Sequence, residues 1–163
     1  MPNIELPVLL KDGEIVENTY QLIEDDLIVP EGDVLLTVEQ LELLESISGK
    51  KALLITVDSS PETTELPLSK LDTIFIEFAG FNDGRGYSFA ALLRRQGFKG
   101  ELRAIGDIFK DVLNYLKRSG FDSFVIKEGK DVHEAASGLN DFKAPYQQST
   151  AVTSAHYQTG SIV

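Results

Sequence analysis

From Thr73 onward the chain repeats one unit: a short apolar run, a turn, then apolar residues at helical spacing. Ile74 to Phe78 runs into a Gly-rich turn and a helix expected over 86–96, closed by Gly97. A strand over 101–105 leads to a helix over 107–118, whose residues Ile108, Phe109, Val112, Leu113 and Leu116 make one stripe. Gly120 closes it, with Lys117 and Arg118 near the negative end of its dipole. A strand over 121–126 leads to a helix over 131–139, with Val132, Ala135, Ala136 and Leu139 facing inward. Strands alternating with short helices imply βαβ units, a mostly parallel sheet and right-handed crossovers. Lys51 to Val57 is almost continuously apolar, as suits a strand covered on both faces. The pattern leaves open the strand order, and whether the sheet stays flat or curls like part of a barrel.

The first 36 residues read differently. Ile4 to Leu10 is apolar, Lys11-Asp12-Gly13-Glu14 carries the Asp-Gly dipeptide of a tight hairpin turn, and Ile15-Val16 resumes the apolar pattern. A later run, Leu27 to Val29, stops at Pro30. The expected architecture is therefore α/β: a mostly parallel sheet built from βα units, with an N-terminal antiparallel hairpin appendage (1–36) covering a sheet edge. Thr37-Val38-Glu39-Gln40 fits a capping box, and Leu41, Leu44 and Ile47 follow at helical spacing up to Gly49. At 163 residues one domain is expected, over 1–147. Residues 148–163, rich in Gln, Ser, Thr and Ala, read as a disordered tail.

Charge narrows the partners. The net charge is −11, and residues 1–49 alone hold twelve acids against Lys11. Residues 83–118 hold eight bases and four acids. Phosphate repulsion argues against nucleic acid for so acidic a chain, while the local basic segment suits a small anion or an acidic partner surface. No apolar run approaches the ~20 residues of a membrane span, and no signal-peptide pattern opens the sequence, so a cytoplasmic address is expected. There is no cysteine, hence no disulfide, thiolate ligand or Cys-held iron–sulfur cluster. His133 and His156 have no companions at ligand spacing, and no metal site is expected.

In a parallel α/β sheet, ligands sit beyond the carboxyl ends of the strands. Those ends carry Asp58, then Glu77 with Asn82, Asp83 and Arg85, then Arg103 with Asp107, and Lys127. The turn through Gly84, Arg85 and Gly86 into Tyr87 and Ser88 offers free amides at a helix start. Arg85 and Arg103 add bidentate contacts to a carboxylate, sulfur oxyanion or phosphate. The expected anion- or partner-binding set is thus Asn82, Asp83, Gly84, Arg85, Gly86, Tyr87, Ser88 and Arg103, with Glu77, Asp83 and Asp107 as acid/base candidates. The same residues also suit a fold-holding role, with Asp83 and Asp107 capping helices and the arginines tied to Glu77, Glu101 or Asp107. The turn is neither a Walker loop nor a G-x-G-x-x-G, and no fingerprint for flavin, nicotinamide or haem is present; no cofactor is expected.

The stretch Phe-Asn-Asp-Gly-Arg-Gly-Tyr-Ser-Phe-Ala, then Leu92-Leu93-Arg94 and Gly97-Phe98-Lys99-Gly100-Glu101-Leu102-Arg103-Ala104-Ile105-Gly106-Asp107, resembles a bacterial domain-of-unknown-function family. That family is described as an oxidoreductase involved in sulfite reduction and is often encoded beside the sulfite reductase hemoprotein. The likeness continues through Asp111 and Arg118-Ser119-Gly120-Phe121-Asp122-Ser123-Phe124 to Pro145-Tyr146-Gln147. It departs at Val112, where the family mostly has Gln, at Asn114 and Tyr115, and at Ser119, where Cys is frequent. The resemblance implies a link to assimilatory sulfur metabolism. With the residues above, it points to an accessory or partner protein of sulfite reduction, the hemoprotein being the partner. The alternatives are a small-molecule enzyme acting on an anionic substrate by acid/base chemistry, and a structural homodimer with no activity of its own.

Overall fold

The computed structural model of the chain describes residues 3–24, 28–59, 65–80 and 82–139. The disordered-tail expectation and His156 lie outside these residues. Eight strands form one sheet: β1 (Val8–Leu10), β2 (Ile15–Val16), β3 (Gln21–Leu22), β4 (Val34–Thr37), β5 (Lys51–Ile55), β6 (Thr73–Phe78), β7 (Glu101–Gly106) and β8 (Ser123–Val125). Their order is β2-β1-β8-β7-β6-β5-β4-β3. From β3 to β8 each strand pairs in parallel with the next, while β1 is antiparallel to both β2 and β8. The helices are α1 (Arg85–Arg95), α2 (Leu113–Arg118) and α3 (Val132–Gly138), with 3₁₀ turns between strands.

This order forces the sheet to curl. Laid flat, eight strands at about 4.8 Å spacing would hold β2 and β3 roughly 34 Å apart. Yet only residues 17–20 join them, and five steps from Val16 to Gln21 reach no more than about 18 Å. The sheet therefore bends until its two edges approach, and residues 17–20 cross its concave side as a strap. Right-handed crossovers between successive parallel neighbours place the 3₁₀ helix Val38–Ser46, α1 and α2 on the convex side. Two cores follow from the pleat. Leu36, Leu53, Ile74, Ile76, Leu102 and Phe124 face outward against Leu44, Ala90, Leu93, Leu113, Leu116 and Ala135 of the crossovers. Val8, Leu35, Leu54, Phe75, Ile105 and Val125 face inward with Tyr20 of the strap.

The mostly parallel α/β sheet and the β1–β2 hairpin match the sequence reading. Three details do not. The appendage does not extend over 1–36, because β3 and β4 belong to the parallel sheet at the edge away from the hairpin. The expected helix from Thr37 is a 3₁₀ helix over Val38–Ser46, although the Thr37 N–H does donate to Gln40 Oε1 at 3.1 Å. The helix expected from Asp107 begins only with a 3₁₀ turn at Lys110–Val112 and α2 after it. Its first residues are held extended: Asp107 N–H donates to Phe78 O (2.9 Å), and Ile108 O accepts from Lys127 N–H (2.8 Å). Gly106 turns the chain at φ +106°, where a Cβ would stand 2.4 Å from Phe78 O.

Candidate functional site

The Gly-rich turn lies where expected, between the end of β6 and α1, and it is organised by one pair. Asp83 accepts from Arg85 three times, at Oδ1 from the backbone N–H (3.1 Å) and Nε (3.0 Å) and at Oδ2 from Nη2 (2.9 Å). The Arg85 side-chain hydrogen bonds first, and its backbone N–H second, hold the Asp83 carboxyl below the usual carboxylate range. The same hydrogen bonds raise the Arg85 guanidinium further, with the charge of exposed Asp58 adding a smaller share. Arg85 nevertheless remains 60% exposed. Asn82 and Ser88 are exposed beside it, and the Ser88 hydroxyl donates to Gly84 O at 3.3 Å.

Tyr87 packs rather than projects. Its ring lies edge-on to Phe78 (5.0 Å between centroids) and Tyr115 (4.6 Å), and burial first, then the nearby Tyr115, raises its phenol above the ordinary value. Gly86 is what lets α1 approach β6, since a Cβ there would stand 2.5 Å from the Phe78 ring. Glu77, half-buried near the end of β6, makes no hydrogen bond or ion pair with the other described residues. Between Glu77, Arg85, Gly86, Phe89, Thr56 and Ile76 is a cleft of only about 10 Å³, at the lower limit of about 10–15 Å³ that holds one water.

Asp107 and Lys127 meet at the neighbouring strand ends, Lys127 Nζ donating to Asp107 Oδ1 at 2.8 Å. The structure thus brings Asp58, Glu77, Asp83 and Arg85 to one rim and adds the Asp107–Lys127 pair beside them. Arg103 does not join that rim. It sits in the middle of β7, 7% exposed, with its guanidinium directed toward the amino ends of the strands. Nε donates to Ser123 Oγ (3.0 Å) and Glu101 Oε1 (3.2 Å), Nη2 to Glu101 Oε1 (2.9 Å), and Nη1 to Asn18 Oδ1 of the strap (3.0 Å). Ser123 Oγ also bonds Glu101. The guanidinium carbon stands 4.8 Å from the Phe75 ring centroid and 5.6 Å from that of Tyr20. A two-residue alternation placed Arg103 on the inner face; the expectation of a shared rim overlooked that it lies three residues short of the strand end.

Sequence reasoning missed two further constellations. Tyr20 OH and Thr73 Oγ1 are 2.8 Å apart, anchoring the strap to β6, and burial first raises the Tyr20 phenol. No local pattern announced this contact across 53 residues. Arg94, at the end of α1, donates to Phe98 O (3.0 Å), Gly100 O (2.8 Å), Gly120 O (3.0 Å) and Asp122 Oδ2 (2.5 Å). Asp122 also accepts from the Leu102 N–H and from Lys11 Nζ. Arg94 and Asp122 both stand in the motif quoted above, which was the available signal. His133 is exposed on α3, and no cluster of three metal-ligating side chains occurs among the described residues. Nor is any helix among them long and apolar enough to cross a membrane.

Fold and rim together define a curled, mostly parallel α/β protein that presents a paired acid–arginine turn at its strand ends. Residues 52–157 match the family described as "Bacterial protein of unknown function (DUF934)", and the chain belongs to that family. No curated protein matches the chain. The match takes in β5 from its second residue to α3 and leaves β1–β4 and the strap outside it.

Proposed function

We propose that this protein is a cytoplasmic accessory protein of assimilatory sulfite reduction, recognising a partner through the turn Asn82–Ser88. The sulfur assignment rests on the resemblance of residues 73–147, and the sulfite reductase hemoprotein is the partner it names. One observation favours surface recognition over a small-molecule reaction. The Arg85 guanidinium is largely exposed and held in place by Asp83, while the cleft behind it has room for about one water. A pair of this kind presents a fixed fork to an opposing surface, where planar bidentate contacts supply specificity. Glu77 as an acid/base group would need substrate within hydrogen-bond reach, and the cleft it lines is about the size of one water.

The test is affinity capture of the tagged chain from a bacterium grown on sulfate as sole sulfur source. The expected result is recovery of the hemoprotein with the wild-type chain and its loss with Arg85→Glu, the variant remaining folded by circular dichroism. Absence of the hemoprotein from the wild-type capture, together with normal growth of a deletion strain on sulfate, would overturn the proposal.

A further inference from the structure

At the opposite end of the sheet, three segments far apart in sequence converge on one cleft of about 460 Å³. The hairpin turn contributes Lys11, the α1–β7 loop Lys99 and Gly100, and the end of α2 Lys117, Gly120 and Phe121; Arg94 and Asp122 form its floor. We propose that this cleft binds a small multivalent oxyanion of the phosphate or sulfate class, independently of the Asn82–Ser88 rim.

Charge is the first support. The lining carries four cations and one carboxylate in a chain whose net charge is −11. Asp122 is already neutralised, its Oδ2 by Arg94 and its Oδ1 by Lys11. Lys99 and Lys117 make no ion pair with the described residues, so two ammonium groups face the cleft uncompensated. Like charges gathered from separate segments repel in the free protein, and a bound anion relieves that repulsion.

The second support is what has been removed. Two helices end here, and free carbonyls at a helix C-terminus ordinarily repel anions. In this cleft several of those carbonyls are already engaged. After α1, Gly97 N–H returns to Arg94 O and Phe98 N–H to Leu93 O; after α2, Gly120 N–H returns to Lys117 O and Phe121 N–H to Leu116 O. Arg94 then takes the Phe98, Gly100 and Gly120 carbonyls that follow. The carbonyls so engaged are withdrawn from an incoming anion, and Lys99 and Lys117 remain as donors. The cleft, about 460 Å³, has room for an anion with two charged groups, which can meet ammonium groups from separate segments.

The experiment is a thermal-shift and calorimetric titration of the full chain with inorganic pyrophosphate, phosphate and sulfate, against sodium chloride at matched ionic strength. Pyrophosphate is expected to raise the melting temperature beyond the chloride control and to bind more tightly than phosphate or sulfate. Lys99→Gln/Lys117→Gln is expected to weaken that binding by about tenfold or more without lowering the melting temperature in the absence of anion. Arg85→Glu, which disables the rim, should leave it unchanged. No shift beyond chloride, or a shift that persists in Lys99→Gln/Lys117→Gln, would overturn the proposal.

Discussion

Arg85 and Arg94 flank the same helix and meet opposite environments. Arg85, itself 60% exposed, is tied to one carboxylate, whereas Arg94 gathers three carbonyls and Asp122 at 20% exposure. Arg94→Ala should therefore cost about 2–4 kcal/mol in urea denaturation, since it strands acceptors and leaves Asp122 short of its main partner. Arg94→Lys should recover only part of that, because an ammonium cannot reproduce the planar fork. Arg85→Ala should leave the urea midpoint nearly unchanged yet move the Asp83 titration, read by NMR, back up toward the ordinary carboxylate range. The sign is fixed by linkage. A carboxyl depressed in the folded state stabilises above its unfolded value, near pH 3.9, and that contribution disappears as pH falls through the folded value. Wild type should lose it only at lower pH than Arg85→Ala, in which the backbone N–H alone still depresses the folded value.

The elements were legible wherever the local pattern was also the tertiary one. β5, β6, β7 and α1 stand within a residue or two of their expected bounds because apolar runs, Gly97 and Gly100 mark their ends. The stretch after β7 was misread because Ile108, Phe109 and Val112 keep a helical spacing, while hydrogen bonds to Phe78 O and from Lys127 N–H, far in sequence, hold the chain out of a helix. β4 was hidden inside an acidic N-terminal region, its partners Lys51–Leu54 lying beyond an intervening helix. At the site, Asp83 with Arg85 was readable as a two-residue spacing, but Arg103 with Asn18 required knowledge of the strap. Glycine tests this level directly. Gly106→Ala should cost at least about 2 kcal/mol, combining positive φ with a clash on Phe78 O. Gly84→Ala, at φ −74° with open space around it, should be neutral or stabilising by up to about 1 kcal/mol in the same denaturation assay.

At the scale of the whole molecule, curvature is held by the strap and by the buried polar cluster under it. Arg103→Met should cost about 3 kcal/mol, because Glu101, Ser123 and Asn18 lose the partner that is itself 7% exposed. Tyr20 sets a limit on the alkaline side. Its phenol titrates above the ordinary value, so its stabilising share is intact below about pH 10 and is lost as pH rises through the folded value. Tyr20→Phe should flatten that alkaline decline while costing about 1–2 kcal/mol at neutral pH, through the unpaired Thr73 hydroxyl. The pairing of β1 with β8 carries a further consequence, for biosynthesis. Leu9 lies opposite Phe124, so the first strand made must wait for almost the last before it can dock. Non-local pairings slow folding, and an emerging chain exposes its apolar segments meanwhile. Glu5, Asp12 and Glu14 ride on the segment that waits longest, where their charge disfavours contact between nascent chains before β1 can dock.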